Sequence, residues 1–185
     1  VVTAHRRESF GLPMEQICLA IRDLALQYRS QVQVVFPVHR NPNVRQQVFR
    51  HLDGIENVSL IEPLDYASMI QLMSRAVLIL TDSGGIQEEG PSLGVPVLVL
   101  RDRTERPEGI WSGATRLVGT ERHRIVTEAE RILMDGAGAT SETRAKINPY
   151  GDGHASQRIV EAILKSAEWQ ASRRNGESER LGIPA

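Results

Sequence analysis

The 185-residue sequence predicts an α/β fold built on a doubly wound parallel sheet. Short apolar runs alternate with amphipathic stretches along the chain, joined by short connections, as in open parallel sheets covered by helices on both faces. The run Val77, Leu78, Ile79, Leu80 is branched and unbroken, the pattern of a strand buried on both sides. Polar clusters follow several such runs, at the strand ends where open α/β sheets hold their ligands.

Taken in order, the chain opens on "VVTAHRRE", which reads as a strand already under way with no initiator Met. We therefore expect a piece of a longer protein. In "PMEQICLAIRDLALQY", Met14, Ile17, Cys18, Ile21, Leu24, Ala25 and Tyr28 form the stripe of an amphipathic helix opened by Pro13. A strand follows over 32–38, then a helix over 43–52 and a strand over 58–61. A helical stripe runs through Tyr66, Met69, Ile70 and Met73, with Asp65 placed to cap it. Next come a strand over 77–81, a helix opened by Gly84, and strands over 95–100 and 115–119. Helices are predicted over 122–135 and 154–170. The division expected is one α/β domain over 1–170 and a polar, unpatterned tail over 171–185.

Composition narrows the function classes. A formal charge of −1 with interspersed signs gives no reason to expect nucleic acid or an anionic membrane as partner. No run of about 18 apolar residues suggests a membrane span. The single cysteine, Cys18, lies in a helical stripe and suggests a reducing, cytoplasmic setting. His5, His39, His51, His123 and His154 are too scattered to propose a metal site.

The stretch "TDSGGIQEE" at 81–89 joins a strand end to a helix start. Unpaired N–H groups and the positive dipole end of a helix bind phosphate without any basic side chain. Ser83 adds a hydroxyl, and Gly84 and Gly85 lack the Cβ that would keep an oxyanion away. Glu89 suits a neighbouring pair of ribose hydroxyls, and Glu88 points to another side of the helix. The plainer alternative is that Asp82 or Ser83 only caps the helix and the glycines ease packing. GxGxxG and Walker spacings are absent, which disfavours dinucleotide and ATP-loop readings. A hydrolase triad on Ser83 is disfavoured too, because "TDSGG" is not the G-x-S-x-G elbow.

In "AHRRESFG", His5 falls on the same sheet edge and suits phosphate contact or proton transfer. Arg6 and Arg7 suit anions, and Glu8 suits acid or base work. His39 and Arg40 follow the second strand, and Arg101 and Arg106 a later one.

These residues make the sequence similar to a known family. "VTAHRRESFG", "PVHRNPNV", "LIEPLDY", "LTDSGGIQEEGPSLGVPVLVLRDRTERPE" and "NPYGDGHASQRI", in this order over roughly residues 1–165, resemble the C-terminal half of the bacterial non-hydrolysing UDP-N-acetylglucosamine 2-epimerases. The resemblance implies one of two Rossmann-like domains of a glycosyltransferase B-type fold, acting on UDP-GlcNAc and UDP-ManNAc by loss and re-addition of UDP. It implies no NAD or other cofactor, an N-terminal domain carrying catalytic carboxylates, a homodimer at full length, and a product destined for cell-surface polysaccharide. Ser83, Gly84, Gly85 and His5 would hold the diphosphate and Glu89 the ribose, with Glu8 and His5 catalytic. Arg6 and His39 match a second, allosteric UDP-GlcNAc site of some members.

The sequence departs from the family at two points. Met69 stands where an aromatic residue often lies near the uracil, and "RDRTERPE" carries Arg103 in place of Thr. Competing expectations are the donor half of a UDP-sugar glycosyltransferase, a hydrolysing epimerase and a non-catalytic nucleotide-sugar sensor.

Overall fold

The computed structural model describes residues 1–135 and 148–166. Strands β1 (Val2–Thr3), β2 (Val34–Pro37), β3 (Val58–Ile61), β4 (Ile79–Thr81), β5 (Val97–Val99) and β6 (Thr115–Leu117) alternate with helices α1 (Leu12–Gln27), α2 (Pro42–Leu52), α3 (Tyr66–Ser74), α4 (Gly84–Ser92), α5 (Pro107–Trp111) and α6 (Arg122–Asp135). All pairings are parallel, in two ladders, β1-β4-β5-β6 and β2-β3. Strand β2 lies beside β1, which sets the ladders in the order β3-β2-β1-β4-β5-β6. The winding reverses at β1, so the loops after β1 and β4 leave the sheet side by side. The α/β class and the doubly wound sheet expected from the sequence are therefore present.

Alternation along the central strands explains why helices cover both faces. On β4 and β5, Ile79, Val97 and Val99 join one apolar cluster with Val95 and Met73, while Leu80 and Leu98 join another with residues of α1, α2 and α6. Successive side chains of a strand point to opposite faces, so an unbroken apolar run needs a core on each side. Asn57 ties the core formed with α1, α2 and α6 to the loops: its Nδ2 donates to the carbonyls of Ala25 at 2.9 Å and Val32 at 2.8 Å.

Most expected elements are where the sequence puts them, including β3 and α6. Several strands are shorter than their apolar runs, because pairing narrows to single bonds at the ends: Val38 N donates to Ile61 O, and Leu100 N to Thr81 O. A 3-10 turn at Arg7–Ser9 and the five-residue α5 were not anticipated. Both are too short to show a helical repeat.

The compact unit Val1–Tyr150 contains the sheet. In the unit that begins at Gly151, a helix runs over 155–166, with Ile159, Val160, Ile163 and Leu164 exposed. The remainder of the helix expected to 170, and the tail over 171–185, lie outside the described residues.

Helix α4 ends in a Schellman turn. Val95 N donates to Gly90 O at 3.1 Å and Gly94 N to Pro91 O at 2.9 Å, and Gly94 takes the required left-handed φ of 73°. Gly90 itself is needed for approach to the sheet, since a Cβ there would lie 2.4 Å from Val97 Cγ2 and 3.2 Å from Ile79 Cδ1. An alanine inside a helix is normally more stable than glycine by about 0.8–1.0 kcal/mol. Here overpacking outweighs that gain, so Gly90→Ala is expected to destabilise by about 1–3 kcal/mol in urea denaturation; a stabilised variant would contradict this packing.

Candidate functional site

The rim at the carboxyl ends of β1, β4 and β5 is organised by Asp82, which is fully buried. Its Oδ2 accepts the backbone N–H of His5 and of Arg6, each at 2.8 Å, and Ser9 Oγ lies at 3.4 Å. A buried carboxylate is tolerable when N–H donors satisfy it. Beneath this junction the strands are cross-linked by the Thr3 and Thr81 hydroxyls at 2.6 Å, and Thr81 Oγ1 accepts Ser83 N at 3.0 Å. Asp82 therefore binds the loop after β1 instead of capping α4, contrary to the plainer reading of this stretch.

Ser83 is the N-cap residue of α4, yet its side chain makes no capping hydrogen bond. By contrast, Asn41 accepts Asn43 N to cap α2, and Asp65 accepts Ser68 N to cap α3, both at 2.9 Å. The Ser83 hydroxyl is thus left for another partner, beside N–H groups of the first turn that have no partner within the helix. Gln87, fully buried one turn on, holds this corner: its Nε2 donates to Ser83 O at 3.2 Å and its Oε1 accepts from Thr104 Oγ1 at 2.5 Å.

The two glycines have different surroundings. Gly85 is exposed, and a Cβ there would meet only Glu89 Oε1, at 3.8 Å, so the Glu89 carboxylate reaches back toward the helix start. Burial, and then the neighbouring Glu88, push the Glu89 carboxyl above its ordinary range. Glu88 turns away and pairs with Arg106. Gly84 is buried, and a Cβ there would lie 2.9 Å from Glu105 Oε1 and 3.3 Å from Arg6 Nη2. An oxyanion of the protein already lies against this glycine, as the missing Cβ permits.

Glu105 belongs to a charged chain across the rim. Arg6 pairs with it at 2.9 Å, Arg101 at 2.6 Å, and Arg101 also holds Glu8 at 2.5 Å. Its own backbone N–H, followed by Arg101 and Arg6 and opposed by burial, holds the Glu105 carboxyl down at about 2. Glu8 is exposed on the 3-10 turn. Arg40 instead pairs with Glu62 at 3.5 Å, and Met69 packs against the cluster of Met73, Ile79, Val97 and Val99.

The His5 and His39 rings stack at 5.2 Å with 16° between their planes. His5 Nδ1 lies 3.6 Å from Asp82 Oδ1, and His39 Nδ1 accepts Asn41 N at 3.1 Å. Burial lowers the His5 pKa below its ordinary 6.5, opposed by Asp82 and reinforced by His39 and Arg6. The structure thus brings His5, Arg6 and Glu8 of the β1 loop beside Ser83 and the α4 residues Gly84, Gly85 and Glu89, with His39 stacked on His5 at their edge. Sequence reasoning missed the roles of Asp82, Gln87 and Glu105. An Asp directly after a buried strand was the available signal for the first; Gln87 and Glu105 showed none.

This combination defines a class: a Rossmann-like, doubly wound domain of the glycosyltransferase B type, with an anion-receptive helix start at the winding reversal. An Escherichia coli heptosyltransferase with ADP shares the fold alone, at 16% identity and TM-score 0.51 over 79% of this chain and 45% of that one. The family model described as UDP-N-acetylglucosamine 2-epimerase matches residues 1–164, and the chain belongs to that family. It is 55% identical to the UDP-N-acetylglucosamine 2-epimerase of Escherichia coli K12 over 163 residues, 88% of this chain and 43% of that relative. The chain thus spans under half the length of that relative. The UDP-GlcNAc 2-epimerase of Neisseria meningitidis, solved bound to UDP-GlcNAc, superposes with TM-score 0.81 at 48% identity, over 89% of this chain and 44% of that one.

The lowered His5 pKa fixes the sign of a pH effect. As pH falls through about 6.5, the unfolded chain gains a proton that the folded His5 resists, so stability falls with pH in that window. The penalty is absent above 6.5 and complete below the folded value. His5→Gln is expected to flatten the acid side of the stability profile measured by denaturation; parallel profiles for the two proteins would contradict it.

Proposed function

We propose that this chain is the UDP-binding half of an epimerase that interconverts UDP-GlcNAc and UDP-ManNAc. The C2 proton of the sugar is not next to a carbonyl, so direct removal and return is unfavourable. The reaction instead removes the C2 proton and expels UDP from C1, leaving a C1=C2 double bond in 2-acetamidoglucal. Addition of a proton to the opposite face of C2 and return of UDP to C1 gives the inverted product. Carbon chemistry of this kind balances without NAD or metal.

The contribution of this half is to bind the leaving diphosphate and stabilise its growing charge. The Ser83 hydroxyl and the first-turn amides at Gly84 and Gly85 receive the phosphoryl oxygens, where fixed dipoles act at the moment the bond breaks. Glu89 accepts from the ribose hydroxyls. His5 contacts the diphosphate and, with Glu8, takes part in proton movement. Arg6 and His39 belong to a second UDP-GlcNAc site that regulates turnover. The other half of the same protein closes the cleft and supplies further carboxylates, and the full-length enzyme works as a cytoplasmic homodimer feeding cell-surface polysaccharide synthesis. The observation that carries the reading is the uncapped start of α4 at the winding reversal, with Ser83 unused and Gly85 open, in a chain of the epimerase family.

The full-length protein incubated with UDP-GlcNAc in D2O is expected to place deuterium at C2 and produce UDP-ManNAc. Release of free ManNAc would assign a hydrolysing enzyme, sugar transfer to an acceptor a glycosyltransferase, and unchanged substrate a sensor. Glu89→Ala should weaken UDP binding by about 1.5–3 kcal/mol, the worth of a hydrogen bond to a charged group, or about 10- to 150-fold in Kd. Equal Kd values by calorimetry would remove Glu89 from the site.

A further inference from the structure

We propose that Asp82 is a positioning residue for His5, holding its imidazole as the Nδ1–H tautomer and leaving Nε2 as the one ring nitrogen with a free lone pair. The two oxygens of Asp82 have unequal surroundings. Oδ2 takes both backbone amides and faces Ser9 Oγ. Oδ1 is buried with no hydrogen-bond partner, and His5 Nδ1 stands 3.6 Å from it. A buried carboxylate oxygen left without a donor is costly, and a carboxylate only accepts. The neighbouring nitrogen must therefore carry a proton, and a shift of a few tenths of an ångström closes the bond. Such bonds are often long in ligand-free enzymes and tighten with substrate.

The amide contacts make this arrangement specific. Because the N–H of His5 itself is anchored on Oδ2, the residue that fixes the backbone also orients the ring. His39 has the opposite assignment, since its Nδ1 accepts from Asn41 N and so its proton sits on Nε2. The stacked pair thus offers one Nε2 acceptor and one Nε2–H donor within a single rim. Asp82 and His39 face the His5 ring from the β4 and β2 loops, and Arg6 from its own loop; of these only Asp82 favours a proton on it.

The assignment of the tautomer stands on geometry, and its use in turnover rests on the epimerase reading above. Asp82→Asn separates the two. Asn has one oxygen, which the His5 and Arg6 amides claim, so its NH2 faces Nδ1 and forces the proton to Nε2.

In long-range 1H–15N spectra of the labelled chain near neutral pH, wild-type His5 is expected to show a protonated Nδ1 and an unprotonated Nε2, and Asp82→Asn the reverse. A wild-type His5 protonated at Nε2, or averaged between the two forms, overturns the proposal even if the variant fails to fold. In the full-length protein, Asp82→Asn should lower kcat by about 100-fold or more with KM changed less than about threefold, and move the acid limb of kcat to lower pH. A purely structural role moves neither tautomer nor limb. A reversed tautomer with unchanged kcat overturns the role in turnover. Should wild-type full-length protein leave UDP-GlcNAc unaltered, the epimerase reading fails while the spectra still decide the tautomer.

Discussion

Two backbone N–H groups, those of His5 and Arg6, converge at 2.8 Å on one oxygen of Asp82, and the geometry of the rim depends on that junction. Parallel pairing of Thr3 with Thr81 brings the two loops out of the sheet together. It does not fix how they lie afterwards, since each loop leaves a strand of only two or three residues. A charged acceptor buried between them does. Each such bond is worth about 1.5–3 kcal/mol, and its loss would leave an amide buried without a partner. The same tie sets His5 and the start of α4 at a fixed spacing.

The paired arginines of this rim add little net charge to it. Arg6 and Arg101 are matched by Glu8 and Glu105 in one paired chain, which is close to neutral as a group. The partly exposed Arg6–Glu105 pair contributes little to stability, roughly 0–1 kcal/mol, while Arg101, whose side chain is 10% exposed, holds Glu8 and Glu105 in place. The directional positive potential comes from the α4 amides, equivalent to about half an elementary charge. That charge cannot move away when solvent or ligand changes, as the proposed role of binding a leaving diphosphate requires.

The sheet was legible in the sequence because its central strands β4 and β5 are buried on both faces, although the run read as a strand from Val77 is paired only from Ile79, with Val77 itself 45% exposed. The cap at Asp65 was equally legible, because a short polar side chain before an apolar stripe satisfies a local amide; Asn41 caps α2 in the same way but was not singled out in the sequence. Ser83 looks the same in sequence and behaves differently: nothing local tells that its hydroxyl stays off the helix. Asp82 and Gln87 were harder still. Their partners lie 76 or 77 and 17 residues away respectively, and long-range hydrogen bonds leave no periodicity to read. Family motifs supplied the candidate residues, while the structure shows which of them stand together and what holds them there.

The most direct test of the diphosphate cradle is a titration of the 15N-labelled chain with UDP, followed at individual backbone amides. The account predicts the largest changes at Ser83, Gly84 and Gly85, with uridine lacking phosphates leaving them nearly unmoved. Changes confined to other loops, or uridine acting as strongly as UDP at those three amides, would contradict it.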